Sequence, residues 1–281
     1  MPYPNFLIIG DLKAGTTSLY YYMKQHPHIF LPDKKELRFF SFDPDNPYHR
    51  RSGSFDVRTM SQYLGYFADA GEYRAIGEAS PNYLRSPLTA ERIRQQLPDV
   101  RLIVSLRNPA DRLYSSYAME FRAGGVKEPI EEILFRRDAE RVKASFYWSD
   151  LMQYYDRFSR EQIKVILFDD LVNDCFEVIR DIYRFIGVDD AFAPDVTPRN
   201  VGGVPTNPLM YRVLGAGKKM ATRYIKPTPE MSRIWQRVKK QQLISLQSDP
   251  VIRQKILDVC KDDIGRTQSL IDRDLSAWFK E

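Results

Sequence analysis

A glycine-bounded turn near the start of the chain contains residue types that bind phosphate groups. Residues 10–18 read GDLKAGTTS and lie between an apolar run and a segment with helical spacing. The first backbone N–H groups of a helix have no partner within the helix and lie at its positive end, so they attract anions. Gly10 and Gly15 have the spacing of the nucleotide-binding G-x-x-x-x-G-K-[ST] loop. The turn is therefore a candidate anion site.

The lysine of this loop is displaced. Thr16 stands where the nucleotide-binding motif has its lysine, and Lys13 lies three residues earlier, inside the loop. A lysine after the second glycine reaches the β- and γ-phosphates of a polyphosphate. A lysine inside the loop would instead reach a group attached to the first phosphate. An ordinary strand-to-helix turn with incidental glycines is the alternative interpretation.

A second candidate anion site follows another apolar run. Residues 107–117 read RNPADRLYSSY, and Asn108-Pro109 is typical of a helix start. Arg107 would lie between the strand and the helix N-terminus, where a guanidinium and the helix dipole can share one anion. Ser115 lies three residues after Arg112, so both side chains share a helix face.

These two segments resemble the P-loop sulfotransferases, which use 3′-phosphoadenosine 5′-phosphosulfate (PAPS) as sulfuryl donor and release adenosine 3′,5′-bisphosphate (PAP). Residues 13–19 resemble the family's 5′-phosphosulfate-binding loop. Residues 107–117 are similar to its 3′-phosphate motif, R-x-P-x-x-R-x-x-S-x-Y, at every fixed position. The resemblance implies that the donor is held by Lys13, Ala14, Gly15, Thr16, Thr17, Ser18, Arg107 and Ser115.

Three further segments extend the resemblance to heparan-sulfate glucosaminyl sulfotransferases and their bacterial relatives. Residues 77–83 (GEASPNY) resemble the segment that carries the catalytic glutamate. Residues 35–40 (KELRFF) are similar to K-E-P-H-F-F and depart from it at Leu37 and Arg38. Residues 272–278 resemble the closing helix of bacterial relatives. Residues 41–70 and 205–250 carry little resemblance, and we interpret them as acceptor-side insertions or lids.

The resemblance implies roles for individual residues. Glu78 would be the general base, Lys13 would stabilise the leaving phosphate oxygen, and Lys35 would approach the reacting centre or an anionic acceptor. The acceptor would offer a hydroxyl or amine and is expected to be a carbohydrate. From the residues alone, Glu78 could equally cap a helix or form a salt bridge, and Lys35 could be a surface lysine. A basic loop with Arg199, Gly202 and Gly203 would cover the 3′-phosphate.

Two other functions stay open. Residues 163–170 (IKVILFDD) resemble a Walker B strand, so a P-loop kinase or NTPase is the first alternative, and the missing lysine at position 16 argues against it. A nucleotide- or polyanion-binding module without turnover is the second. Its platform would be residues 212–240, with nine Lys or Arg and one acid, which suit a polyanionic partner or a membrane surface. A solvated helix face is the other interpretation of such a run. His49 is an alternative base. No cluster of side chains suggests a metal.

The elements that must position these residues alternate along the chain. Apolar runs predict strands at 6–9, 74–77, 101–106 and 163–168, and helical spacing or caps predict helices at 16–25, 89–97 and 109–122. Asp174 is predicted to cap a further helix that ends near Gly187. Strands separated by helices imply an α/β fold with a central parallel sheet flanked by helices, as in the three-layer P-loop type. One domain, 1–281, is expected.

Composition limits the class of protein. The chain has 281 residues, of which 43% are hydrophobic and 28% charged, which excludes a disordered chain. No apolar run approaches the roughly 20 residues of a membrane-spanning helix. Cys175 and Cys260 lack metal-ligand spacing and indicate a reducing, cytoplasmic location. The net charge of +5 suggests anionic ligands and does not require nucleic acid.

Overall fold

The computed structural model describes residues 2–126, 128–132, 142, 145–197, 204–205, 243–244 and 249–280. The chain divides into two compact units. The first consists of 1–108, 146–200 and 260–280, and the second of 109–145, 201–259 and residue 281. The single domain expected from the sequence stays a prediction.

A parallel sheet organises the first unit. Five strands form it in the described part of the chain: β1 Phe6–Gly10, β2 Ile29–Phe30, β3 Ala75–Ala79, β4 Arg101–Leu106 and β5 Ile163–Leu167. Their order is β2-β3-β1-β4-β5, and every pair is parallel. Parallel neighbours need crossover connections, which the helices supply. The predicted α/β fold with a parallel sheet is confirmed.

Helices connect and flank these strands. The described helices of the first unit are α1 Thr16–Met23, α2 Pro47–Arg51, α3 Met60–Gly65, α4 Thr89–Gln96, α7 Trp148–Tyr155, α8 Phe168–Asn173 and α9 Cys175–Ile186. The second unit contains α5 Pro109–Ala123, α6 Ile130–Glu132 and the antiparallel pair of β6 Val204–Pro205 and β7 Leu243–Ile244. Helix α10, Pro250–Ile271, contributes residues to both units. Short 3-10 turns cover Phe39–Ser41, Arg160–Gln162 and Ser276–Phe279.

The central strand explains where a ligand could bind. All five residues of β1 are buried, as expected for a strand covered on both faces. After β1, the next two strands in the chain, β2 and β3, lie on one side of it, and β4 and β5 lie on the other. Ligands of open parallel sheets bind beyond the carboxyl ends of the strands at such a reversal of strand order. The glycine-bounded turn, which follows β1, lies at this point.

Apolar packing fixes the sheet against α1 and α9. Phe6 and Ile8 of β1 belong to one buried cluster with Leu19 of α1 and Ile182 of α9. Gly77 lies opposite the Phe6 ring, and a Cβ atom at position 77 would come within 2.5 Å of that ring. A side chain there would separate β1 from β3, so the packing requires glycine.

Several predicted boundaries are confirmed and several shift. Strand β4 has the predicted bounds, and the Asp174 side chain accepts a hydrogen bond from the Glu177 N–H at the start of α9. The strand predicted at 74–77 instead spans Ala75–Ala79, and α1 ends at Met23. The segment 41–70, interpreted from the sequence as an insertion or lid, contains helix α2, because Asn46 caps it and Pro47 follows in its first turn.

The closing helix expected over residues 272–278 is wrong. Helix α10 ends at Ile271, and Asp272 has a φ of 51°, in the left-handed region that interrupts a helix. The Asp274 carboxylate then accepts the Ser276 N–H at 2.8 Å, and a 3-10 turn follows.

No helix among the described residues combines the length and the apolar content needed to cross a membrane.

Candidate active site

The loop that follows β1 is held in place by its own backbone and by strand β4. The Asp11 N–H donates to the Ser105 carbonyl at 2.8 Å, and the Ser105 hydroxyl donates to the Ala14 carbonyl at 2.6 Å. Ala14 in turn donates its N–H to the Asp11 carbonyl at 3.3 Å. Two of these bonds join the loop to β4, so the conformation of the loop is set by the sheet.

The start of α1 offers backbone donors to a ligand. Gly15 occupies the N-cap position with a φ of 81°, and no described side chain caps the helix. The N–H of Leu19 donates to the Gly15 carbonyl at 3.1 Å, so the donors of Thr16, Thr17 and Ser18 come before the first such bond. The predicted phosphate loop therefore has the geometry of an anion site.

Lys13 and Arg107 come together beside this turn. Lys13 is half-buried with a φ of 71°, and its carbonyl accepts a hydrogen bond from Arg107 Nη1 at 3.2 Å. The Arg107 guanidinium lies 4.4 Å from the centre of the Phe168 ring. The backbone carbonyl of Arg107 accepts a hydrogen bond from the Tyr147 hydroxyl at 2.7 Å. The Arg107 side chain therefore contacts the loop that carries Lys13 and precedes the backbone donors of α1.

Glu78 lies in a buried network of hydroxyl groups. Its Oε1 accepts the Tyr83 hydroxyl at 2.6 Å and the Tyr63 hydroxyl at 3.4 Å, and its Oε2 accepts Ser80 Oγ at 2.7 Å. Burial raises the pKa of Glu78 from 4.5 to about 7, and the hydroxyl donors oppose this shift without cancelling it. Only 1% of the residue is exposed, so Glu78 does not contact an acceptor in this conformation.

A second carboxylate, Glu36, lies beside the carboxyl end of β3, the strand that contains Glu78. The Glu36 N–H donates to the Ala79 carbonyl at 3.0 Å, and the Arg38 N–H donates to Ser80 Oγ at 3.0 Å. The Glu36 side chain is 29% exposed and pairs with Lys35 Nζ at 3.0 Å and with Arg38. Burial alone would raise the pKa of Glu36, but the charges and hydrogen bonds of Lys35 and Arg38 lower it overall.

Sequence reasoning missed Glu36. The resemblance of residues 35–40 to K-E-P-H-F-F implies a role for Lys35 only. The signal was present, because Glu36 is a fixed position of that stretch and has a cation one residue before it and another two residues after it. Neighbouring cations favour the ionised form of a carboxylate.

The remaining predicted site residues are distributed as follows. Ser115 is half-buried on α5 in the second unit, where the buried Arg112 donates to Ser145 Oγ at 3.2 Å. Arg199, Gly202, Gly203 and the basic run 212–240 lie outside the described residues.

The residues of the alternative predictions have local partners. The Nδ1 atom of His49 accepts the Asp43 N–H at 3.0 Å, and its ring stacks on Phe55. Asp169 accepts the Trp278 indole N–H at 3.0 Å, and Asp170 pairs with Arg273 at 2.7 Å. The described part of the chain contains no group of three or more metal-ligating side chains.

Comparison with known proteins identifies the family. A family model described as the sulfotransferase domain matches residues 3–197. The membrane-associated sulfotransferase kil1 of Dictyostelium discoideum is 37% identical over 114 residues, which cover 41% of this chain and 22% of that protein. The bifunctional heparan sulfate N-deacetylase/N-sulfotransferase 4 of Mus musculus is 27% identical over 205 residues, 66% of this chain and 22% of that protein. The chain spans about a fifth of these curated relatives.

Solved structures agree with this assignment. A crystal structure of a sulfotransferase from Alicyclobacillus acidocaldarius has a TM-score of 0.74 and 30% identity, and the match covers 99% of each chain. The sulfotransferase domain of the Synechococcus PCC 7002 olefin synthase, at 16% identity and a TM-score of 0.53, shares the fold. The family match includes the phosphate loop, both carboxylates and Arg107, and the chain belongs to the sulfotransferase family.

Proposed function

We propose that this chain transfers a sulfuryl group from PAPS to a hydroxyl or amine group of a carbohydrate acceptor. One observation carries the proposal: Arg107 contacts the backbone of the loop that contains Lys13 and leads into an uncapped helix N-terminus, and a partly exposed carboxylate lies at the same edge of the sheet. Cations and backbone donors suit an anionic donor, and the carboxylate suits deprotonation of an acceptor. The carbohydrate class rests on the heparan sulfate relatives.

The residues present fit the 5′ end of this donor. When bound, PAPS supplies a sulfuryl group already activated by its link to phosphate. The N–H groups of residues 15–18 would bind the 5′-phosphate, and the Lys13 ammonium would stabilise the negative charge that develops on the departing phosphate oxygen. Arg107 would bind the 3′-phosphate. The parts of Ser115, Arg199, Gly202 and Gly203 in 3′-phosphate binding are predicted from the sequence alone.

We propose Glu36 as the group that accepts the acceptor's proton. A general base must first reach the proton, and only then does its pKa matter. Glu36 is partly exposed and ionised, whereas Glu78 is buried behind Tyr63 and Tyr83. As the acceptor O–H or N–H loses its proton to the carboxylate, its O or N bonds to sulfur and the bond from sulfur to the phosphate oxygen breaks. Glu78 stays the base predicted from the sequence, and the same experiment tests both.

The experiment measures transfer of labelled sulfate from PAPS to a glucosamine-containing oligosaccharide, and PAP binding by calorimetry. We expect Glu36→Gln to lower turnover by about 100-fold or more, the usual range for loss of a general base, with a PAP Kd within about twofold of wild type. Glu78→Gln is the matched variant and should keep more than about a tenth of the turnover. If Glu78→Gln alone abolishes transfer and keeps PAP binding, Glu78 is the base.

Other ligands separate the other functions. PAP should raise the unfolding temperature without a divalent metal. Stabilisation by ATP with magnesium alone would indicate a kinase or NTPase instead. PAP binding without transfer to any of a panel of hydroxyl and amine acceptors would indicate a binding module. The presence of only two cysteines in 281 residues supports our further proposal of a cytoplasmic location.

A further inference from the structure

One guanidinium connects several segments at the carboxyl edge of the sheet in the first unit. Arg85, in the segment after β3, donates from Nε and Nη2 to the two carboxylate oxygens of Asp11 at 3.0 and 2.8 Å. Its Nη1 donates to Asp150 of α7 at 3.0 Å and to the Phe146 carbonyl at 3.4 Å. The proposed reaction assigns no role to Arg85, Asp11 or Asp150.

Asp11 is the link between this guanidinium and the phosphate loop. Its side chain is fully buried, and Oδ1 also accepts the Leu12 N–H at 2.7 Å. The backbone of Asp11 bonds to Ser105 on one side and to Ala14 on the other. The position of this one residue therefore sets the path of residues 11–14, which include Lys13.

A buried carboxylate at this position also has an electrostatic consequence. Asp11 lies two residues from Lys13, in a loop that would hold an anion, and an unneutralised carboxylate there would repel that anion. Burial alone would lower the pKa of Arg85, but the charges of Asp11 and Asp150 raise it above its ordinary value. The guanidinium is therefore charged at any working pH, and its two parallel hydrogen bonds neutralise Asp11.

The Arg85 side chain also lies near Tyr147, the residue that hydrogen-bonds to the backbone of Arg107. The Arg85 guanidinium lies 5.7 Å from the centre of the Tyr147 ring. The Tyr147 hydroxyl donates to the Arg107 carbonyl at 2.7 Å. Arg85 thus contacts the residues that hold both cationic segments of the donor site.

We propose that Arg85 is a positioning residue of the donor site, which fixes and neutralises Asp11 so that the loop has the shape and the positive potential that an anionic donor needs. This inference rests on the proposed function, because it takes the loop as the donor site. Arg85 itself does not contact the donor.

Four variants of the full chain test this. Arg85→Lys keeps the charge and loses the paired hydrogen bonds. Arg85→Met leaves Asp11 unneutralised, and the double variant Arg85→Met/Asp11→Asn removes that charge again. Asp150→Asn is the matched control, since it breaks the other ion pair of the same guanidinium without touching the loop.

The first measurement is the Kd of PAP at a temperature where every variant is folded. We expect increases of about tenfold for Arg85→Lys and about 30-fold or more for Arg85→Met, at least a threefold recovery in the double variant, and a change within twofold for Asp150→Asn. A purely structural role predicts that the double variant binds no better than Arg85→Met, or that Asp150→Asn weakens binding as much as Arg85→Lys. Either result overturns the proposal.

The second measurement needs no ligand. Amide hydrogen exchange over residues 12–16 should be faster in Arg85→Lys than in wild type and unchanged in Asp150→Asn. Because this exchange measurement uses Arg85→Lys, it still tests the proposal if Arg85→Met does not fold. If wild type fails to bind PAP, the proposed function is wrong, and exchange alone judges Arg85: faster exchange supports its hold on the loop, and unchanged exchange overturns it.

Discussion

Among the residues of the site, Glu78 is a buried carboxylate that accepts hydrogen bonds from three hydroxyl groups. Its pKa is raised from 4.5 to about 7 because burial disfavours the charged form. Between pH 4.5 and 7 the folded state therefore holds a proton that the unfolded state has lost. Raising the pH through this window lowers the free energy of unfolding, by about 3 kcal/mol once the pH is above 7.

Glu78→Gln should remove this pH dependence, because glutamine does not titrate. Urea unfolding at a series of pH values from 4 to 8 measures it. We expect the difference in unfolding free energy between wild type and Glu78→Gln to change by about 3 kcal/mol across the window, with wild type gaining at the acidic end. Glu36→Gln is the control and should keep the wild-type trend from Glu78. Equal pH dependence in wild type and Glu78→Gln would show that Glu78 has an ordinary pKa.

Residue types at fixed spacings predicted part of this site and could not predict the rest. The loop and Arg107 are in contact, since each follows a strand of one parallel sheet and such strand ends meet at one edge. The choice between Glu36 and Glu78 depends on which side chain reaches the surface. Tyr63 and Tyr83 bury Glu78, and both rings pack against Phe40, an arrangement that no local sequence pattern encodes.

At the scale of elements, the junction of β1 and α1 depends on Gly15. Its φ of 81° lies in the left-handed region, and a Cβ atom would come within 2.9 Å of the Phe168 ring. Gly15→Ala should lower the free energy of unfolding by about 1–3 kcal/mol through left-handed strain and overlap. The PAP Kd should rise about tenfold or more as the loop shifts.

Calorimetry with PAP and urea unfolding measure the two effects. Gly53→Ala is the matched control, because a Cβ atom there has no neighbour within 4 Å, and it should change the unfolding free energy by less than about 0.5 kcal/mol. Unchanged PAP binding in Gly15→Ala would mean that the loop tolerates another backbone conformation.

Helix α9 offers a test of an element that the sequence predicted well. Asp174 accepts the Glu177 N–H at 3.1 Å, and Gly187 ends the helix with a φ of 79°. Asp174→Ala should lower the free energy of unfolding by about 1 kcal/mol, while Asp174→Asn, which keeps the capping oxygen, should stay within a few tenths. Urea unfolding of the two variants measures this, and equal losses in both would contradict a capping role.

Local signals explain which elements could be predicted. Apolar runs marked β4 and β5, and Asp174 and Gly187 marked α9, because buried strands and capped helices leave strong traces in composition. Strand β2 has only two residues, Ile29 and Phe30, and exists because it pairs with β3. The turn at Ser276–Phe279 likewise depends on Asp272 and Asp274 rather than on helical spacing. Such elements are set by their neighbours.

At the scale of the whole molecule, positive charge is concentrated in one segment, and the net charge of +5 does not show this. Residues 212–240 carry nine Lys or Arg and one acid, a local net charge of +8. The rest of the chain is therefore net acidic. A carbohydrate acceptor of the sulfated type is itself a polyanion, so the run matches the proposed acceptor in charge, and this interpretation rests on sequence alone.

This uneven distribution of charge along the sequence leads to a prediction about polyanion binding. We expect the chain to be retained on immobilised heparin and to elute with added salt, because exposed charges more than about 10 Å apart are screened at 0.1 M ionic strength. A variant with Lys218, Lys219, Lys239 and Lys240 changed to Gln should elute at clearly lower salt and show a raised KM for a sulfated oligosaccharide, with turnover and the PAP Kd unchanged. The control changes four exposed cations of the first unit, Arg50, Arg51, Arg94 and Arg180, to Gln. It lowers the net charge by the same amount, so equal elution of the two variants would mean that total charge, and not the run, determines binding.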